Sequence, residues 1–236
     1  MSALSPQHHE WANLLKDIRE EVIGFLFNRY VFRTVQEIIR LNEDLHSVSS
    51  TFSKWTQAIY GTANGVGVRR VAGSYEKDDI NFVRLLDMML PYASELVSAF
   101  ERHCPNDLAE SRNKLLDKSL DNESHKIEAC KRLIGIDRKI LLGTAQKVND
   151  WASKRGAHHN PKIKINTTFN DLDKAVDTVR ILTEKYILLV YDQKHNLLQE
   201  MKVRKLSKGW DKLFLKEWAT SAMLALPLGE TLPPEK

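Results

Sequence analysis

The chain has 236 residues, 42% of them hydrophobic and 28% charged, which is the composition of a folded globular domain and not of a disordered chain. A net charge of +4 permits a polyanionic partner without requiring one, so where the cations sit matters more than their sum. The longest apolar run, Tyr186–Tyr191, is too short to cross a bilayer, and the opening residues lack the apolar stretch of a signal peptide, so a cytoplasmic protein with no membrane partner is expected.

Ser5-Pro6 has the cap-then-proline form of a helix start. Trp11, Leu14, Leu15, Ile18, Val22, Phe25 and Leu26 then recur at helical spacing, and the pattern continues through Val35, Ile38 and Ile39, which predicts a first helix of about 35–40 residues. The Ser-Val-Ser-Ser-Thr cluster at 47–51 reads as a turn and cap. A second helix should follow, carrying Phe52, Trp55, Ile59 and Tyr60 together with Gly61, Gly65 and Gly67. Neither phosphate-cradling glycine pattern is present and no strand precedes these glycines, so a face of small residues for close packing is the better reading.

Asp78-Asp79 is the expected cap of a third helix through Ile80, Val83, Leu86, Met89 and Leu90, with Pro91 kinking it or opening a new segment that ends near His103-Cys104-Pro105. A shorter helix is expected over Asp107–Lys118. From about Glu123 to Lys154, Ile127, Ile134, Leu141 and Val148 repeat every seven residues with Cys130 and Trp151 between them, a seam suited to packing within a bundle or across a dimer. Cys104 and Cys130 form no Cys-x-x-Cys pair and are expected to be free thiols.

After Gly156–Pro161, Thr168 and Asp171 form a capping-box pattern ahead of Leu172, Val176, Val179, Leu182, Tyr186, Leu189 and Val190, a helix predicted to reach as far as Met201. A basic linker leads to a short C-terminal helix, Trp210–Trp218. The reading is therefore all-α: one domain over 1–225 and a C-terminal tail over 226–236.

Chemistry concentrates in Asp150–Pro161. From Trp151 to Asn170 the chain carries Lys154, Arg155, Lys162 and Lys164, no carboxylate, and the pair His158-His159 beside Asn160. A phosphate backbone is attracted to such a patch, an arginine holds phosphate oxygens in a fork, and histidine exchanges protons near neutral pH. Those groups suffice for RNA cleavage without a metal: a base takes the ribose 2′-hydroxyl proton, the oxygen attacks phosphorus, and a cation stabilises the charge that develops. The same residues also suit a helix C-terminus for purely structural reasons. Adjacent histidines chelate poorly, so no metal or other cofactor is expected. Arg40 and His46 also stand at a spacing of interest, but Glu43 and Asp44 between them would repel phosphate. Arg69 and Arg70 point about 100° apart on a helix. One is expected to pair with an acid such as Asp78, Asp79 or Asp87, and a phosphate contact beside the histidine turn is the other use.

Three stretches, in this order, carry a family resemblance: Val68-Arg69-Arg70 followed by Ile80–Met89, the Ala157-His158-His159-Asn160 turn between two long helices, and Gly209–Trp218. Over roughly residues 20–220 the chain resembles the HEPN superfamily, specifically its abortive-infection U-type branch. The resemblance implies a bundle of long antiparallel helices with a short C-terminal helix, often dimeric. It implies antiphage or toxin–antitoxin biology with an antitoxin or other defence protein as partner, and a metal-independent endoribonuclease site. That site is an arginine near a helix end and a histidine several residues on, which here points to Arg155, His158 and His159 as catalytic candidates. Lys154, Asn160, Lys162, Lys164, Arg69 and Arg70 are then candidate RNA contacts. The intervals are short: two residues separate Arg155 from His158 and three separate it from His159, while Lys154 and His159 have four between them. A relative that binds RNA or a partner protein through this turn, or through the Ile127–Trp151 seam, without cleaving anything, is the competing expectation.

Overall fold

The computed structural model describes residues 6–41, 43–73, 80–103, 123–153, 167–191 and 195–205. Every regular element among them is helical: α1 (Pro6–Leu41), α2 (Glu43–Ala72), α3 (Phe82–Met89), a 3-10 turn (Leu90–Tyr92), α4 (Ala93–His103), α5 (Glu123–Trp151), α6 (Phe169–Tyr191) and α7 (Leu197–Lys205). The all-α reading therefore holds for the described residues. Asp107–Lys118 and Trp210–Trp218 lie outside them.

α1 runs 36 residues and buries Trp11, Leu15, Ile18, Val22 and Leu26 almost completely. It forms an antiparallel hairpin with α2 whose register is marked along its length. Phe25 lies against Gly67, Asn28 donates to Asn64 at 3.0 Å, Phe32 stacks on Tyr60 with ring centroids 4.4 Å apart, and Gln36 donates to Thr56 at 3.1 Å. The glycines serve close packing as expected. A Cβ on Gly67 would stand 2.3 Å from the Phe25 ring and one on Gly65 would stand 2.4 Å from the Trp151 ring. The Ser-rich 47–51 cluster is not a turn but part of α2. Extending an existing helix gains a backbone bond for each residue added, and Ser or Thr disfavours this by only about 0.5 kcal/mol.

α6 lies antiparallel to α1. Arg29 pairs with Asp177 at 3.0 Å, Arg33 pairs with Asp173, and the buried His8 donates through Nε2 to the Val190 carbonyl at 2.9 Å. α5 runs antiparallel to α6, with Asp137 held by Lys185 at 2.5 Å and by the Tyr186 hydroxyl at 3.0 Å. Its seam faces inward: Cys130, Ile134, Leu141 and Val148 are each no more than 2% exposed. The bundle itself occupies the seam at these four residues, while Ile127 and Trp151 at its ends are half-buried.

Two boundaries differ from expectation. The cap of α3 is Asn81, whose side-chain oxygen accepts from the Val83 and Arg84 amides at 2.8 and 3.2 Å. Its amide nitrogen donates to the Arg70 and Gly73 carbonyls at 2.9 and 3.1 Å, closing the end of α2. An aspartate could not do both, because an ionised carboxylate has nothing to donate. Asp78 and Asp79 lie outside the described residues. The second difference is that α6 stops at Tyr191 instead of reaching Met201. Asn196 caps a separate α7, accepting from the Gln199 amide at 3.0 Å, and Leu197 and Met201 join the core. Arg19 with Glu200, and Arg204 with Glu20 at 2.8 Å, tie α7 to α1.

Candidate nucleic-acid interface

Residues 154–166 lie between α5 and α6 in the sequence. Lys154, Arg155, His158, His159, Asn160, Lys162 and Lys164 fall outside the described residues, which take in the chain up to Ser153 on one side and from Thr167 on the other. α5 closes in a wider π-type turn at 152–153, with Ala152 buried. Trp151 seats on the bare backbone of Gly65, and Asn149 donates to the Ala72 carbonyl at 3.2 Å, so α2 holds this end of α5. On the other stem, Phe169 packs among Phe32 and Tyr60, with centroids 5.2 and 5.8 Å away.

The capping box predicted at Thr168 and Asp171 forms in both directions. Asp171 accepts from the Thr168 amide at 3.0 Å and from its hydroxyl at 2.8 Å, and the Asp171 amide donates back to the hydroxyl at 3.2 Å. Lys147 reaches across from α5 to Asp171 at 3.0 Å, and the Thr167 hydroxyl donates to the Lys147 carbonyl at 3.1 Å, which stitches the two stems together. The bond from the Thr168 amide, then that from its hydroxyl, then Lys147 hold the Asp171 carboxyl at about 2, well below the usual carboxylate range. The first turn of α6 thus already has its anion, and Lys147 is spoken for.

Arg69 and Arg70 separate as helical geometry requires. Arg70 turns toward α1 and pairs with Glu21 at 2.5 Å. Asp87 pairs instead with Arg138 at 2.8 Å, and Asp78 and Asp79 lie outside the described residues. Arg70 is thus directed to the α1 side, where its charge is shared with Glu21. Arg69 lies on the side of α2 that meets α5, one turn beyond Gly65 and one turn before Ala72 and Gly73. It makes no ion pair among the described residues and is partly exposed. It therefore stands beside the stem from which Lys154 and Arg155 continue.

Comparison with protein-family models, with curated proteins and with solved structures returns no match.

A polar ladder between α1 and α6 begins one turn beyond Phe169. Arg29 and Arg33 of α1 face Asp177 and Asp173 of α6, and the Tyr60 hydroxyl donates to Asp173. Burial disfavours the Arg29 charge, but the hydrogen bond and charge of Asp177 outweigh it and raise its pKa. Burial, then the Asp173 charge, pushes the Tyr60 hydroxyl far up and keeps it a neutral donor. The legible signal was two cations and two acids, each pair four residues apart on its own helix. Because these arginines are neutralised in place, they add no attraction for phosphate.

Proposed function

We propose that this chain is a HEPN-type antiphage-defence protein of the abortive-infection or toxin–antitoxin kind, which grips single-stranded RNA where α5 gives way to α6. What supports the reading is the placement of Arg69. A cation with no carboxylate partner among the described residues lies beside the stem of a turn whose own sequence adds Lys154, Arg155, Lys162 and Lys164 and no acid. In its catalytic form, His159 takes the 2′-hydroxyl proton, Arg155 neutralises the phosphoryl oxygens, and Lys154 and His158 assist. Lys147 and Arg70, each bound to a carboxylate of its own, contribute nothing.

The test is metal-free. The full chain is incubated with single-stranded RNA in a chelator, and binding is followed as salt is raised. Binding should weaken steeply with salt, Arg69→Ala should weaken it about threefold to tenfold and reduce the salt slope by about 1, and Arg70→Ala should leave it unchanged. Cleavage lost in both His159→Ala and Arg155→Ala, with RNA binding largely kept in His159→Ala, is the expected result for the enzyme. Absence of RNA binding at low salt would overturn the whole reading. Binding without products supports the second reading, a non-cleaving RNA-binding relative, which the short interval between Arg155 and the two histidines favours.

A further inference from the structure

The longest run of the chain without an aspartate or glutamate is Leu45–Tyr75, most of it α2, and the second longest is Trp151–Asn170, which holds the histidine pair. The fold brings the two runs together. Trp151 lies on Gly65, and the Phe169 ring stands 3.7 Å from where a Cβ on Gly61 would be. The solvent side of α2 in this acid-free run is aromatic: Trp55 is 58% exposed and Phe52 48%, and their rings lie nearly parallel, with centroids 5.9 Å apart and planes 24° from one another. Helical spacing arranges this side in rows about 60° apart. Phe52, Ile59 and Val66 form one row, and Trp55, Thr62 and Arg69 form the next. Lys54, which is exposed, stands farther round in the same direction, in line with Gly61 and Gly65 and so on the flank of α2 nearest α5 and α6.

We infer that Trp55 and Phe52 are a stacking platform for the unpaired bases of single-stranded RNA whose backbone follows the Lys54–Arg69 flank of α2. The inference rests on the RNA-binding reading above and extends that site by about 21 Å, the rise of α2 from Arg69 back to Trp55. Three observations select this occupant. An exposed indole beside a second ring offers a π-face that accepts any base, which suits a strand bound without regard to sequence. Lys54 and Arg69 stand toward the two ends of the platform, and no carboxylate of α2 from residue 45 onward opposes a phosphate there. On the other flank, Glu20 and Glu21 line the groove between α1 and α2 beside Ala63 and Arg70, and their charge turns a phosphate backbone away from α1 toward the side of α5 and α6. A duplex gains nothing from the rings, since its bases already stack on one another.

The experiment measures binding of the full chain to an unstructured, fluorescently labelled RNA of about ten nucleotides in a chelator, with inorganic polyphosphate as a polyanion that has no bases. Trp55→Ala should weaken RNA binding about tenfold and Phe52→Ala about threefold, both at an unchanged salt slope, while Trp55→Phe keeps most of the affinity. Lys54→Ala should instead reduce the salt slope by about 1. Polyphosphate should not distinguish the ring variants from the parent. Both rings are exposed, so helical content and Tm should stay as in the parent. RNA binding equal to the parent in Trp55→Ala and in the double variant with Phe52→Ala overturns the platform and leaves the RNA-binding reading standing, and so does a loss that polyphosphate shares. A sedimenting mass that falls in Trp55→Ala while RNA affinity is unchanged marks the rings as a protein contact and also overturns the platform. A chain that binds no RNA at low salt overturns both readings.

Discussion

Individual side chains differ sharply in how much tolerance the surrounding packing leaves them. Gly67 faces the ring of the buried Phe25, and a Cβ placed there would overlap it at 2.3 Å, whereas a Cβ on Gly143 meets nothing within 4 Å. Gly67→Ala sets an overpacking cost of about 1–3 kcal/mol against a helix-propensity gain of about 1 kcal/mol, so a net loss of up to about 2 kcal/mol is expected. Gly143→Ala keeps only the gain and should raise Tm by about 2–4 °C. Thermal unfolding of the two variants checks both signs. Asp137 is the other sensitive position, since it is 4% exposed and answers both Lys185 and Tyr186. Asp137→Ala should cost about 3 kcal/mol in urea unfolding, because it leaves an ammonium and a hydroxyl without their acceptor.

Among the elements, the start of α6 yields a pH prediction. The Asp171 carboxyl is held at about 2, against an ordinary value of 3.8, chiefly by the amide and hydroxyl of Thr168. A depressed carboxylate stabilises the fold at pH values above its unfolded pKa. That stabilisation is lost as pH falls from about 4 to about 2. The stability gap between the parent and Asp171→Asn should therefore be constant from about pH 5 to 7 and close on approach to about pH 2; a gap that persists in acid would argue against this cap. The box was legible in the sequence because both halves of it are local, three residues apart. The α1 and α5 spans were legible for a similar reason, since their apolar spacing is sustained over many turns. The cap of α3 was not: Asn81 wins over Asp78-Asp79 because it also donates to the carbonyls of Arg70 and Gly73, and those arrive only once α2 is in place. Tyr191 as the end of α6 was hidden likewise, because Leu197 continues the apolar rhythm while its amide is taken by Glu184 at 2.8 Å.

At the scale of the molecule, several of the described arginines are answered by acids within the bundle. Arg19, Arg29, Arg33 and Arg204 all meet acids on another helix, which explains why a net charge of +4 does not itself mark a binding face. What sequence could supply about the candidate site was its composition and the two stems that bracket it. It could not say which of two adjacent arginines would face the stem, because that depends on Glu21, about fifty residues earlier in the chain. α1 is the hub of this arrangement, bound at its start by the Val190 carbonyl and further along by Glu200 and Arg204. During translation it leaves the ribosome long before those partners exist. At about 5–20 residues per second, the roughly 180 residues between His8 and Val190 take on the order of ten to forty seconds to synthesise. Through that interval α2 can already cover one side of α1, while the side that meets α6 and α7 stays open until the last third of the chain is made.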